Sequence, residues 1–164
     1  IENISKETQF QPDVIEKAYR LALLLQEINN HPVLNKELVL KGGTAINFIY
    51  LPLPRLSVDL DFNFIGAITK EEKDLKREDV KMYLNRIFDY FKYKIEENNE
   101  YGQHQFFLNY KNFASNNDII KVEVNYLLRI SVLSNRTRKI KLPFLKNLNA
   151  NIKTLFKPLA FQCS

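Results

Sequence analysis

The sequence predicts one mixed α/β domain, an α+β arrangement in which helices flank a single central mixed sheet. The chain has 164 residues, of which 45% are hydrophobic and 26% charged, a composition typical of one soluble globular domain. Its apolar residues recur at helical spacing in some segments and alternate with polar residues in others. These segments follow the order helix, strand, helix, strand, helix and then several strands, without internal repeats. We therefore expect residues 1–164 to form a single domain.

The first half of the chain alternates helices with short strands. Apolar residues at spacings of three and four predict a helix over residues 12 to about 28. The apolar residues 38–40 predict a strand, which a tight glycine turn at 42–43 connects to a helix that begins near residue 45. Strict alternation over residues 58–64 then predicts a strand with one buried and one polar face.

The second half predicts one long helix and then strands. An apolar stripe at helical spacing indicates a helix from about residue 70 to residue 97. Two alternating segments, 105–110 and 119–127, predict strands joined by a polar connection. A last short strand is predicted over residues 138–142.

Several classes of protein are excluded by composition. No apolar run approaches the ~18 residues that a membrane helix needs, and the first ten residues do not resemble a signal peptide. The single cysteine, Cys163, cannot form an internal disulfide or a cysteine zinc cluster, so we expect a reducing, cytoplasmic setting. With only His31 and His104 as histidines, any metal chemistry must depend on carboxylates.

Positive charge is concentrated toward the end of the chain. Residues 119–164 contain 9 Lys or Arg against 1 Asp or Glu, whereas residues 1–118 contain 15 against 18. Such a step is typical of proteins that bind a polyanion such as nucleic acid or a nucleoside triphosphate. A solvated basic face explains it equally well, so charge does not decide the function.

Asp59 and Asp61 are the first candidates for chemistry. At positions i and i+2 of a strand they project to the same side, about 6 to 7 Å apart. Like charges at this distance repel, and a divalent cation such as Mg²⁺ relieves the repulsion while it also binds phosphate oxygens. Glu123 occupies the polar face of another predicted strand and adds a third carboxylate if the two strands are neighbours. The alternative is that the two aspartates only form the polar face of an amphipathic strand.

Further polar residues near this pair favour phosphate binding. Gly42, Gly43 and Thr44 lie at a strand-to-helix junction, where a phosphate can approach backbone amides that no side chain covers. Arg55 and Ser57 precede Asp59 on the same alternating phase, so they extend its polar row with a guanidinium group and a hydroxyl.

Together these residues resemble a known family. The segments Lys41-Gly-Gly-Thr-Ala45 and Arg55-x-Ser57-x-Asp59-Leu-Asp61-Phe62 are similar to the signature of the AbiEii/AbiGii-like toxin nucleotidyltransferases, within the DNA polymerase β-like nucleotidyltransferase superfamily. The segment Lys121-Val-Glu123-Val-Asn-Tyr126 resembles the second acidic strand of that family. The resemblance spans residues 38 to 128.

The resemblance implies an enzyme that uses Mg²⁺ or Mn²⁺ to move a nucleotidyl group from a nucleoside triphosphate to an acceptor. By position, the catalytic and metal-binding carboxylates would be Asp59, Asp61 and Glu123. The residues that contact the nucleotide would be Gly42, Gly43, Thr44, Arg55, Ser57 and Lys121. In this assignment Glu123 also activates the acceptor hydroxyl.

The resemblance also implies partners. Members act in prokaryotes as toxins of abortive-infection or toxin–antitoxin systems, some of them on tRNA, so the expected partners are tRNA, other RNA or a protein acceptor, and a cognate antitoxin. We expect no membrane partner. Relatives continue into a helical region, and we expect residues 1–164 to lack it.

Two other interpretations remain open. A truncated, catalytically impaired domain would bind a nucleotide or RNA without turnover, through the basic segment 121–157. A pure interaction module would use the acidic row only as a solvated strand face.

Overall fold

The computed structural model describes residues 2–50, 58–67, 69–127, 136–139 and 151–154. Its helices are α1 (Glu2–Thr8), α2 (Pro12–Asn30), α3 (Leu34–Glu37), α4 (Gly42–Ala45) and α5 (Lys70–Tyr90), and a π-helical turn covers Ile46–Tyr50. Its strands are β1 (Leu38–Lys41), β2 (Asp59–Phe64), β3 (Lys94–Glu100), β4 (Gln103–Lys111), β5 (Asn117–Asn125), β6 (Arg136–Lys139) and β7 (Asn151–Thr154).

The strands form one seven-stranded sheet in the order β3-β4-β5-β2-β1-β7-β6. The β2–β5 and β1–β7 pairs are parallel, and the other neighbours are antiparallel. The predicted mixed α/β fold around a single central mixed sheet is therefore confirmed. Among the helices of the described residues, none has the length and apolar composition needed to cross a lipid bilayer.

The two faces of the sheet differ in chemistry. On one face, the fully buried strand residues Leu60, Phe106 and Val122 belong to the same core cluster as Leu21 of α2 and Leu84 of α5. The alternate strand residues point to the other side, which we call the polar face. Its central residues are Asp59, Asp61, Lys121, Glu123, Gln105, Phe107, Asn109 and Ile119.

The long helix ends earlier than its apolar stripe predicts. Helix α5 stops at Tyr90, and the expectation that it continues to residue 97 is wrong, because residues from Lys94 form β3. The backbone of Lys92 has a φ of 62°, and the amides of Lys92 and Tyr93 donate to the carbonyls of Asp89 and Phe88. This is a Schellman arrangement, which terminates helices. Ile95 lies four residues after Phe91, which is helical spacing and explains the prediction. In the structure, however, every residue of β3 pairs with a residue of β4.

Short elements account for the other differences. The structure adds α1, α3 and β7, which are four to seven residues long and too short for a periodic pattern. The last predicted strand overlaps β6 at residues 138–139, and residues 140–142 lie outside the described part of the chain.

Candidate active site

Strands β2 and β5 bring the acidic residues to the same place. In their parallel pairing, Asp61 lies opposite Glu123 and Asp59 lies opposite Lys121. Neighbouring strands are about 4.8 Å apart, and register partners in a parallel pair point to the same face. The two strands are thus direct neighbours, and all four side chains lie on the polar face.

Asp61 is at the centre of this arrangement. Lys41 of β1 is its register partner on one side and Glu123 is its partner on the other. Burial raises the pKa of the Asp61 carboxyl above its usual value, and the charges of Glu123 and Asp59 raise it further, against the opposite effects of Lys41 and Lys121. The surroundings therefore disfavour the ionised form of Asp61, and additional positive charge at this place would offset the effect.

Glu123 has partners of its own. Its Oε2 accepts hydrogen bonds from Nζ of Lys121 at 2.9 Å and from Nε2 of Gln105 at 3.2 Å. Burial alone would raise the pKa of Glu123, but these two hydrogen bonds and the nearby lysine charges outweigh burial and hold its pKa below the usual value. The hydrogen bond between Lys121 and Glu123 also raises the pKa of Lys121. The contacts of Glu123 thus favour its ionised form, whereas the surroundings of Asp61 oppose ionisation.

The three carboxylates are not gathered around one point in this structure. Within the described residues, no three His, Cys, Asp or Glu side chains form a group that could hold a metal ion. In this structure Oε2 of Glu123 instead accepts hydrogen bonds from both Lys121 and Gln105. To offer Oε2 to a cation that is shared with the aspartates, Glu123 would have to lose its contact with Lys121.

The glycine turn closes directly against Asp61. Gly42 has a φ of +75°, and a Cβ atom placed there would lie 2.6 Å from Oδ2 of Asp61. Only glycine combines this backbone conformation with such a close approach. Gly42 and Gly43 are both exposed, so the turn presents backbone to solvent beside the carboxylate.

Thr44 connects the turn to β2. Its hydroxyl donates a hydrogen bond to the backbone carbonyl of Asp59, and the residue has 0% exposure. The side chain therefore holds the glycine turn against the acidic strand and is not presented to solvent. The predicted contact of Thr44 with a triphosphate would have to come from its backbone.

The structure does not describe two of the predicted site residues. Arg55 and Ser57 lie outside the described residues, and their contribution stays a prediction. Lys121, in contrast, lies on the polar face beside Asp59 and pairs with Glu123.

Two residues of the site were missed at the level of sequence. Lys41 faces Asp61, and Gln105 of β4 faces Glu123. The position of Lys41 directly before the glycine turn is a signal that could have identified it. Gln105 has no comparable signal. Its position opposite Glu123 depends on the register between the antiparallel strands β4 and β5, which a polar connection joins.

The role of Gln105 is open to a direct test. We expect the pKa of Glu123 to rise in Gln105→Leu and also in Lys121→Met, because each variant removes a hydrogen bond to the charged form of Glu123. A pH titration of the side-chain carboxyl carbon of Glu123 by NMR measures the change, with Gln26→Leu on α2 as the control. An unchanged pKa of Glu123 in both variants would show that these contacts do not hold it.

Comparison with known proteins agrees with this geometry. The structure resembles that of MenT4, a nucleotidyltransferase toxin from Mycobacterium tuberculosis H37Rv, with a TM-score of 0.60 and 16% sequence identity. The match covers 95% of this chain and 54% of the MenT4 chain, so this chain spans about half the length of that protein. At this level of identity the likeness concerns the fold. A search of curated protein sequences finds no significant match.

The family comparison is more specific. Residues 23–155 match the family described as nucleotidyl transferase AbiEii toxin, type IV toxin–antitoxin system. The matched segment contains α5, β1–β7 and every candidate site residue. The chain therefore belongs to the AbiEii family of nucleotidyltransferase toxins.

Proposed function

We propose that this chain is a divalent-cation-dependent nucleotidyltransferase that transfers a nucleoside monophosphate from a nucleoside triphosphate to an acceptor hydroxyl. One observation carries the proposal: Asp61 lies between Lys41 and Glu123 in the register of three strands, with the backbone of Gly42 against its carboxylate. This geometry supports a site for a phosphorylated substrate at the exposed glycine turn.

The chemistry of the side chains fits a hard divalent cation. The donors are carboxylate oxygens, which Mg²⁺ and Mn²⁺ prefer, and Asp61 has a raised pKa because burial and two neighbouring carboxylates oppose its charge. Asp59 and Asp61 would hold the cation, with Glu123 as a third ligand once it is released from Lys121. When bound, the cation would neutralise the charge that develops on the transferred phosphate.

The chain's own residues would divide the remaining work. Gly42 and Gly43 leave room for the triphosphate at the turn, and Lys41 and Lys121 supply positive charge on either side of the aspartates. Glu123 lies on the polar face opposite Asp61 in the register of β2 and β5, so its carboxylate would be placed to accept the proton of an acceptor hydroxyl bound beside the aspartates.

In the proposed step, the acceptor oxygen forms a bond to the α-phosphorus and the bond from that phosphorus to the pyrophosphate oxygen breaks. The proton of the hydroxyl passes to the Glu123 carboxylate, and pyrophosphate leaves. The acceptor would be an RNA such as tRNA, or a protein, and the family's toxin–antitoxin character makes a cognate antitoxin the expected protein partner.

Label transfer tests this proposal. The purified chain is incubated with each α-³²P-labelled nucleoside triphosphate, with total RNA or total protein as the acceptor, in Mg²⁺, in Mn²⁺ or in EDTA. We expect label in one acceptor class, only with a divalent cation, and its loss in Asp59→Asn. Asp79→Asn on the exposed side of α5 is the matched control.

Two outcomes would contradict the proposal. Stabilisation of the chain by a nucleotide or RNA without any transfer of label would indicate a binding domain. If the chain shows neither stabilisation nor transfer, Asp59 and Asp61 only form the solvated polar face of a strand.

A further inference from the structure

The polar face continues from the carboxylates toward the edge strand β3. Along β5, Glu123 is followed on this face by Lys121 and then by Ile119, at steps of about 6.6 Å. Their register partners on β4 are Gln105, Phe107 and Asn109, in the same order. A continuous track of side chains therefore leads from the carboxylates across β5, β4 and β3.

The far end of this track is a basic pocket with a volume of about 580 Å³. We call it the lysine pocket, and its lining includes Lys92, Lys94, Lys111, Asn109, Asn117 and Ile119. Ile119 belongs both to the pocket and to the track, four residues before Glu123. Ile119, the residue of the lysine pocket on this track, is thus about 13 Å from Glu123 along the strand.

The lysine pocket holds uncompensated positive charge. In the part of the chain that the structure describes, none of Lys92, Lys94 and Lys111 forms a salt bridge. The one acidic side chain of its lining, Glu96, accepts a hydrogen bond from Nδ2 of Asn109. Like charges on neighbouring positions of a sheet are unfavourable, so an anionic ligand would stabilise this arrangement.

Between the two ends lies an aromatic side chain. Phe107 points to the polar face and is only partly buried, whereas its neighbours Phe106 and Leu108 point into the core with 0% exposure. Its register partner on β5 is Lys121 and its partner on β3 is Glu96. An aromatic ring on an accessible sheet face, with a lysine as one of its two cross-strand neighbours, is a suitable platform for an unpaired base.

We propose that the polar face binds a single-stranded nucleic acid, with backbone phosphates in the lysine pocket, a base on Phe107 and the strand's terminal hydroxyl directed toward Glu123. This inference rests on the proposed function, because the track would deliver an acceptor hydroxyl to the carboxylates. An acidic polypeptide would satisfy the lysines but would make no use of the ring. A nucleic acid strand uses the charge, the amides and the ring together.

The inference is tested by measuring the binding of a fluorescein-labelled oligouridylate of twelve nucleotides. Fluorescence anisotropy gives the binding constant at each of several salt concentrations. The site variant is Lys92→Gln/Lys94→Gln/Lys111→Gln, and the control with the same change of charge is Lys6→Gln/Lys36→Gln/Lys70→Gln, on α1, α3 and α5. Each neutralised phosphate contributes about 0.7 to the slope of log K against log salt for single strands. We therefore expect the site variant to lower the magnitude of this slope by about 2 and the control to leave it unchanged.

Two further variants extend the test, one at the aromatic ring and one with fewer lysine substitutions. Phe107→Ala should weaken binding about fivefold or more without a change in the salt slope, because stacking does not release counterions. Lys94→Gln/Lys111→Gln serves if the triple variant has a lower melting temperature than the control, and it should lower the slope by about 1.4.

Several results would overturn the inference. Equal salt slopes for the site variant and the control would show that the lysine pocket does not contact phosphates. Competition by polyglutamate of the same length, as effective as unlabelled oligouridylate, would assign the pocket to acidic polypeptides. If the chain transfers label to RNA but the site variant binds the oligonucleotide as tightly as the wild type, this inference is overturned and the proposed function is not. Lysine-dependent binding without label transfer would instead support it and count against the proposed function.

Discussion

Replacing Asp61 with Asn is expected to slow nucleotidyl transfer strongly and to make the protein more stable at neutral pH. A cation that neutralises the transferred phosphate is worth several kcal/mol of transition-state stabilisation, so removal of a central ligand should lower the rate by roughly 10²- to 10³-fold. The gain in stability has a separate cause. In the folded protein the Asp61 charge is opposed by burial and by Glu123 and Asp59, and Asn removes that charge.

The sign of the stability effect follows from proton binding. The folded state binds the Asp61 proton more tightly than the unfolded chain, because the pKa of Asp61 is raised on folding. Stability therefore falls as the pH rises from the unfolded pKa through the raised, folded pKa. Above that window the ionised Asp61 destabilises the native protein, and below the unfolded pKa its contribution disappears.

Thermal unfolding at several pH values measures this effect. Asp61→Asn should melt at a higher temperature than the wild type at pH 7, and the difference should vanish below the unfolded pKa of the aspartate. Asp79→Asn, which replaces an exposed carboxylate on α5, should not show this pH-dependent gain. A lower melting temperature for Asp61→Asn at pH 7 would show that the Asp61 charge is already compensated.

Replacing Gly42 with Ala is expected to lower the free energy of unfolding more than any other single substitution proposed for this chain. The new Cβ atom would lie 2.6 Å from Oδ2 of Asp61, and a φ of +75° is unfavourable for any residue with a Cβ. Strain and displacement of the carboxylate together should lower the free energy of unfolding by about 2 to 4 kcal/mol. Nucleotidyl transfer should also be lost, because Asp61 has to move.

A double-mutant cycle separates the two causes. Gly42→Ala/Asp61→Ala retains the unfavourable φ but removes the carboxylate that the new Cβ atom would meet. We expect the double variant to lose at least about 1 kcal/mol less stability than the sum of the single variants. Urea unfolding of the four proteins gives the values. Additivity within about 0.5 kcal/mol would place the whole cost in the backbone of Gly42.

The parts of the site that lie within one strand were predictable from sequence. Strict alternation on β2 indicates that Asp59 and Asp61 share a face, because the side-chain period of a strand is two residues. The same rule applies to Lys121 and Glu123 on β5. These local patterns also predicted the mixed α/β fold class that the structure confirms.

The contacts between strands were not predictable in the same way. The pairing of Asp61 with Glu123 and the hydrogen bond from Gln105 depend on register, which residues distant in the chain determine. The inward orientation of Thr44 depends on the approach of the glycine turn to the carbonyl of Asp59. The end of α5 was missed because Lys92 adopts a positive φ without being glycine.

Anomalous diffraction from crystals grown with Mn²⁺ and a non-hydrolysable nucleoside triphosphate tests the central claim most directly. We predict an anomalous peak about 2.0 to 2.3 Å from carboxylate oxygens of both Asp59 and Asp61, with the triphosphate beside Gly42 and Gly43. We also predict that the hydrogen bond between Lys121 and Glu123, 2.9 Å long here, will be broken if Glu123 joins the ion. A nucleotide bound elsewhere on the chain, with no manganese at the two aspartates, would contradict the account.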